Sequence, residues 1–225
     1  MITKTVVLSR EKRETRSPAA AVSASLKRAF DIALSGVGLI ASAPLWALFA
    51  LAIRLEDGGP VFYLQERSGL GGSRFNALKF RSMIRNAEAT VGAIQASQND
   101  PRVTRVGRFL RATAMDELPQ LWHIFRGDMS FVGPRALRPG EIEVVGEGKV
   151  EMLEDVPGFI ERSSVRPGLT GIAQIYAPRD IPRRLKFRYD LVYVRRRSFW
   201  LDVRLVLLSF WITLRGTWEV RGRKF

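Results

Sequence analysis

The chain has 225 residues and a mass of 25.4 kDa, enough for one full hydrophobic core or for one domain with an appendage. Its 36 Lys and Arg against 22 Asp and Glu leave a net charge of +14, which favours a polyanionic partner: nucleic acid, an anionic lipid surface or phosphorylated substrates. With no cysteine and one histidine (His123), disulfides, thiolate metal sites and multi-His zinc centres are excluded, and a Ser-His-Asp triad is disfavoured.

Residues 1–25 mix charges with a Ser-Pro and an Ala/Ser run, and read as a poorly ordered tail without a packed face. Lys27-Arg28 then precede Ile32–Ile53, an uncharged stretch of about 22 residues that could cross a bilayer core. No plausible cleavage site follows it, so it does not read as a secretory signal. A buried core helix of that length without a polar face would be unusual in so small a domain. Pro44 lies inside the segment and must cost it the hydrogen bond to the carbonyl of Ile40, while Gly36, Gly38, Ser35 and Ser42 loosen or re-satisfy the same region. Basic residues flank both ends, which fits a kinked hairpin returning to the same leaflet and an ordinary kinked span alike.

After the loop Glu56–Pro60, VFYLQER and RFNALKFRSM read as two strands joined by Gly69-Leu70-Gly71-Gly72, a hairpin presenting Arg67, Arg74, Lys79 and Arg81. Lys79 and Arg81 alternate onto one strand face, where two cations can grip a diphosphate or simply meet solvent. Residues 84–98 are weakly helical and polar. TRVGRFLRATAM then places Val106, Phe109 and Leu110 on one helical side, with Arg105, Arg108 and Arg111 around it.

The stretch Arg111–Arg135, RATAMDELPQLWHIFRGDMSFVGPR, carries the densest chemistry. Asp116 reads as the N-cap of a short helix with Glu117 in its first turn, Pro119 at the third position and Leu118, Leu121, Trp122 and Phe125 as the core-facing stripe. Gly127 ends it. A capping Asp alone is usually structural. Here a second carboxylate adjoins it, Asp128 follows and arginines bracket the segment. Carboxylates beside arginines stay ionised, paired oxygen ligands with phosphates suit Mg²⁺, and a helix start offers N–H groups to a phosphate. His123 reads as a packed or surface helix residue.

Residues 137–165 are acidic, with a helix expected near Glu147–Leu153. VRPGLTGIAQIY reads as loop, tight turn and short strand, with Arg166, Thr170 and Gln174 as polar candidates. The remainder is basic, from Arg179 through Arg183, Arg184, Lys186 and Arg188 to Arg195-Arg196-Arg197, and helical from Arg183. In Phe199–Leu214, Asp202 and Arg204 interrupt an apolar run too short to span. It reads as an amphipathic helix in the headgroup region, with Trp200 and Trp211 at the interface, or as a core helix.

Taken together, the motifs resemble the bacterial sugar transferases, the monotopic polyprenyl-phosphate phosphoglycosyl transferases. The resemblance runs from about Leu26 to Leu214 through KRAFDIALS, the Pro-containing apolar segment, QERSGLGG, FNALKFRSM, NDPRVTRVGRFLR, MDELPQLWHIFRGDMSFVGPR, RPGLTGIAQI and the spaced Asp190, Tyr193 and Asp202. It implies the minimal, catalytic-domain form of the family and transfer of a sugar 1-phosphate from a UDP-sugar to a polyprenyl phosphate such as undecaprenyl phosphate, with release of UMP. That step opens exopolysaccharide, capsule, O-antigen or glycoprotein glycan assembly. It also implies an aspartyl-phosphosugar intermediate on Asp116, Mg²⁺ held by Glu117 with Asp116, and phosphate or substrate contacts from Arg111, Arg135, Lys79, Arg81 and Gln174. The membrane helix would be re-entrant, kinked at Pro44. Ser usually stands directly before that Pro, whereas here Ala43 does and Ser42 lies one earlier. His123, Ala136 and Ala173 replace the common Asn, Pro and Trp.

The expected fold is α+β and mostly helical. A tail over 1–25 precedes a re-entrant membrane helix over 26–55. A compact cytosolic catalytic domain over 56–225 then carries a small β-hairpin and amphipathic interfacial helices. The expected location is the cytoplasmic face of the bacterial inner membrane, with membrane lipid as a partner and no nucleic acid; monomer and homodimer are both compatible with the basic surfaces. The rival readings are a membrane-attached nucleic-acid-binding protein, which leaves the acid pair and the GDMS loop unexplained, and a non-catalytic scaffold of the same fold, which the intact Asp116-Glu117 argues against.

Overall fold

A computed structural model of the chain describes residues 18–87, 100–145, 149–178 and 181–218. Most of the weakly helical stretch expected over 84–98 lies outside them, as does Arg179. Among the described residues the fold is α+β and mostly helical, with seven α-helices and three two-stranded sheets.

Helix α1 runs from Pro18 to Asp57. Proline is at home at a helix start, where its missing N–H would have no partner. Residues 18–25, read above as tail, therefore belong to the helix, while 1–17 lie outside the described residues. The helical backbone continues through Pro44. Near the missing bond the Ser42 hydroxyl donates to the Leu39 carbonyl at 3.4 Å and accepts from Trp46 Nε1 at 3.0 Å. The helix is long and apolar enough to cross a membrane. Much of its apolar surface has no protein against it: Ile40 is 80% exposed, and Val37, Leu48, Leu51 and Leu55 are also open.

Both ends of α1 dock on the same body. Near its start, Lys27 pairs with Asp202 at 2.6 Å, and Arg28 donates to the carbonyls of Ile124 and Phe125, each at 2.6 Å. Asp31 accepts from the Phe131 N–H at 3.0 Å. Near its end, Phe49 and Ile53 pack on Phe80 and Leu110, Asp57 pairs with Arg81, and Glu56 accepts from the Arg105 and Val106 N–H groups. Between them Gly36 and Gly38 let Phe125 and Leu121 approach closely.

The first hairpin pairs β1 (Phe62–Ser68) with β2 (Arg74–Phe80), Phe62 opposite Phe80 and Ser68 opposite Arg74, as the sequence suggests. Helix α2 (Arg105–Ala112) follows, capped by Thr104, whose side chain accepts from the Gly107 N–H. Leu110 is buried, but Phe109 is exposed rather than part of a shared apolar side. Helix α3 spans Gln120–Arg126. Its inward face is Gln120, Leu121, His123 and Ile124; Trp122 and Phe125 point outward and stack on each other. Within α3, only Leu121 of the expected stripe therefore faces the core.

β3 (Ser130–Val132) pairs in parallel with β6 (Gly168–Thr170). A Cβ on Gly133 would lie 2.3 Å from the Arg166 carbonyl oxygen, and one on Gly168 would lie 2.0 Å from the Gly133 nitrogen. Two glycines are what let the GPR and RPG loops touch. The helix expected near Glu147–Leu153 is instead a second hairpin, β4 (Ile142–Val145) with β5 (Lys149–Met152), Glu143 opposite Glu151. Its β-branched content suits a strand, and Glu143 is drawn to the Arg183 and Arg184 N–H groups. Helix α4 (Phe159–Arg162) precedes β6. The residues IAQIY, within the segment read as loop, turn and short strand, form helix α5 (Ile172–Tyr176).

Helices α6 (Arg183–Arg196) and α7 (Phe199–Arg215) are the last two helices among the described residues. In α7, Leu205, Val206 and Ile212 are buried, while Trp200, Leu207, Phe210, Trp211 and Leu214 are exposed. The spaced Asp190, Tyr193 and Asp202 of the sequence are buried ties. Arg162 Nε donates to Asp190 at 2.9 Å, and the Tyr193 hydroxyl donates to Asp202 at 2.8 Å. With Lys27 on the other oxygen of Asp202, the last pair of helices is pinned to α1.

Candidate active site

Asp116 does not cap α3. A 3₁₀ turn, Met115–Glu117, carries the acid pair, and Pro119 rather than Asp116 precedes the helix. The turn is entered through Ala114, whose φ of 55° lies in the left-handed region that costs a side chain roughly 1–2 kcal/mol. Strain at such a place marks a position that surrounding structure insists on. Its effect is to end α2 abruptly and swing both carboxylates toward β2.

There Glu117 forms an ion pair with Lys79, and Arg135 Nη2 stands 3.9 Å from the same Glu117 oxygen. Burial raises the Glu117 carboxyl, but Lys79 and Arg135 outweigh it and hold it well below its ordinary range. Asp116 is shifted the other way. Burial, followed by the charge of Glu117, pushes it up to about 6, against the pull of Lys79, Arg111 and Arg135. Two adjacent carboxylates thus divide roles, one locked in its charged form and one poised to change. Burial also lowers Lys79 below the usual lysine range, with Glu117 opposing it.

Arg67 completes the ring. It is buried behind the pair, donates to the Ala136 carbonyl at 2.9 Å and to Gln65, and is lowered to about 9 by burial and then by Arg135 and Arg138. Four cations, Arg67, Lys79, Arg111 and Arg135, therefore act on the two carboxylates. The site keeps a positive excess with both acids ionised.

A broad cleft contains these residues. It runs from Val37, Ser42 and Leu45 on α1, past Lys79 and Asp116-Glu117, to Gln174 and the exposed side of α7. Gln174 Nε2 donates to the Gly133 carbonyl at 3.3 Å. Arg81 borders the same cleft, but it lies beyond the end of β2 and is committed to Asp57, so it does not join Lys79 in one two-cation grip. Thr170 bonds Ser209 at 2.5 Å, and Arg166 Nε donates to the Gly127 carbonyl at 2.8 Å; both serve packing between elements.

Asp128 is not a third acid of the site. It accepts from Arg126 at 2.8 Å and pairs with His123 Nδ1 at 3.0 Å. His123 is buried, and its Nε2 accepts from the Leu78 N–H at 3.2 Å, so the ring braces the strand that carries Lys79. Sequence reasoning left Gln120 unremarked and gave Arg67 no special weight. The signal for Gln120 was a polar residue three positions after Glu117 in an otherwise apolar run.

An acid pair ringed by cations thus lies in a cleft walled by an exposed apolar helix, a charge arrangement suited to phosphorylated groups. Comparison with known proteins agrees: residues 22–216 match the bacterial sugar transferase family, and the chain belongs to it. It is 43% identical over 190 residues to the undecaprenyl-phosphate glucose phosphotransferase of Komagataeibacter xylinus, covering 81% of this chain and 35% of that protein. It is 39% identical over 198 residues to the UDP-glucose:undecaprenyl-phosphate glucose-1-phosphate transferase of Escherichia coli (strain K12), covering 86% and 41%. The chain thus spans about two fifths or less of the length of these relatives. A shorter relative, the exopolysaccharide production protein PSS of Rhizobium leguminosarum bv. phaseoli, is 40% identical over 186 residues, covering 80% of this chain and 91% of that protein.

Proposed function

We propose that this protein transfers a sugar 1-phosphate from a UDP-sugar to undecaprenyl phosphate, as the names of its relatives describe for them, and so opens exopolysaccharide or related glycan assembly. The observation that carries the reading is the split acid pair: Asp116, with its raised pKa and cleft position, beside Glu117 held by Lys79.

In the first half-reaction an Asp116 carboxylate oxygen attacks the sugar-bearing phosphorus. The bond from that phosphorus to the bridging oxygen breaks, and UMP leaves with the electron pair. In the second, an oxygen of undecaprenyl phosphate attacks the same phosphorus, and the Asp116 carboxylate departs. Arg111, Arg135 and Lys79 offset the charge that gathers on the transferring phosphoryl group. Gln174, which lines the same cleft, would meet the rest of the donor.

Mg²⁺ fits this site. Among the described residues no group of three or more acids or histidines gathers, but Mg²⁺ bound with phosphates needs only one or two carboxylates, which Asp116 and Glu117 provide. The ion would neutralise diphosphate charge.

The membrane arrangement is monotopic on this reading. α1 dips into the cytoplasmic leaflet, hinged at Pro44, and exposed Trp200 and Trp211 on α7 lie at headgroup depth. Support comes from the docking of both α1 ends on one body: a span would have to tear Lys27 and Arg28 from their partners. The exposed Ile40, Leu48 and Leu51 then have lipid to meet.

The test is UMP release from UDP-glucose by the detergent-extracted chain. Release should occur with donor alone, leaving a mass increase of one sugar phosphate on the Asp116 peptide; chelation should stop it and Mg²⁺ restore it. Release that needs both substrates present together would defeat the two-step scheme.

A further inference from the structure

Behind the Glu117–Lys79 pair lies a recess of ≈ 10 Å³, room for roughly one water-sized oxygen. Arg67, Lys79, Glu117, Gln120 and Arg135 supply its polar wall, and Ala77 and Met129 are among its apolar lining. It shares Arg67, Lys79, Glu117 and Arg135 with the broad cleft, so it opens off the place where Asp116 stands. Among the buried side-chain polar atoms of its lining residues, one has no hydrogen-bond partner. Glu117 is taken by Lys79, and Arg67 by Ala136 and Gln65. Gln120 is 5% exposed, and its Nε2 is buried with no hydrogen-bond partner. An orphaned buried amide costs about 1–3 kcal/mol, a cost that an acceptor entering the recess would relieve.

From this we infer that Gln120 Nε2 donates a hydrogen bond to a phosphate oxygen of the nucleotide-sugar donor, making the recess an oxygen subsite of the catalytic cleft. The inference rests on the proposed transfer reaction and adds a substrate-binding residue to it. The chemistry of the recess selects the acceptor. Its surroundings carry a positive excess, its size admits one oxygen, and its buried side-chain atom without a partner is a neutral donor. A neutral donor among cations adds direction where charge alone does not. The donor diphosphate is the phosphate source chosen here, because it must occupy the site before Asp116 can react.

The experiment follows UMP release from UDP-glucose without lipid phosphate, in the parent chain and in Gln120→Met and Gln120→Glu. Met keeps the shape and removes the donor, and should slow release by about 10- to 100-fold, the range for a lost hydrogen bond to a charged group. Glu sets a like charge against the phosphate and should be slower still. Met within twofold of the parent would mean that the recess holds only water, and Glu no worse than Met would mean that no anion enters; either overturns the inference. A normal UMP burst with loss confined to transfer onto undecaprenyl phosphate would also overturn it, by assigning the subsite to the lipid. If neither variant folds, a structure of the Asp116→Asn chain with UDP-glucose decides, by whether a phosphate oxygen lies within hydrogen-bond distance of Gln120 Nε2. UMP release at the parent rate by Asp116→Asn would instead count against the nucleophile, whatever Gln120 does.

Discussion

Asp116 carries opposed demands on stability and reactivity. Its folded-state pKa lies above the value of about 4 expected when unfolded, so folding favours its protonated form. The stability this contributes is fully present below pH 4 and is lost as pH rises through about 6. At neutral pH the ionised carboxylate is therefore a cost. Asp116→Asn should abolish UMP release while stabilising the protein, by on the order of 2 kcal/mol in denaturant unfolding. On the proposed mechanism the same pKa sets the rate profile: donor-alone UMP release should rise through pH 6 as Asp116 loses its proton, and Mg²⁺ should move the midpoint lower. Glu117 has the reverse sign. Its depressed pKa contributes stability above its ordinary range, and that stability is lost as pH falls through its folded value. Lys79→Met should remove much of it, since Glu117 would keep only the weaker pull of Arg135 and Arg67.

At the scale of elements, two contacts place the site. The Gly133–Gly168 crossing lets two loops meet and sets Arg135 beside Glu117. Gly133→Ala drives a methyl group into the Arg166 carbonyl, and should cost on the order of 2–4 kcal/mol and slow UMP release by displacing Arg135. The second contact is the buried tie of Lys27, Tyr193 and Asp202, which fastens α1 to α7. Asp202→Asn removes the charge that Lys27 meets and should cost about 1–3 kcal/mol, less than a fully buried pair because Lys27 keeps some solvent. A double-mutant cycle with Lys27→Met measures the coupling.

For the whole molecule, α1 decides the relation to the membrane. Both its ends are held by one body, so the chain before α1 and the hairpin after it should face the same compartment. The chain has no cysteine, so single labels are clean. Thr5→Cys and Glu66→Cys should both be shielded from an impermeant thiol reagent in intact cells and both react after lysis. Labelling of Thr5→Cys from outside would show a spanning helix and defeat the monotopic arrangement.

The sequence by itself determined what depends on local pattern. The long uncharged run, the hairpin around Gly69–Gly72, the helix from Arg183 and the acid pair among arginines can each be read within a few residues of themselves. Tertiary structure decided what depends on who meets whom. Only packing could show that Asp128 serves His123 and Arg126, that Arg81 belongs to Asp57, and that Trp122 and Phe125 face outward. The second hairpin escaped detection because a short acidic, apolar segment carries little period, and contacts with α6 choose its state. Gln120 offered only a polar residue in an apolar run, which says nothing of its role. Its orphaned amide has meaning only once β2, the turn at Ala114 and the crossing glycines have closed the recess around it.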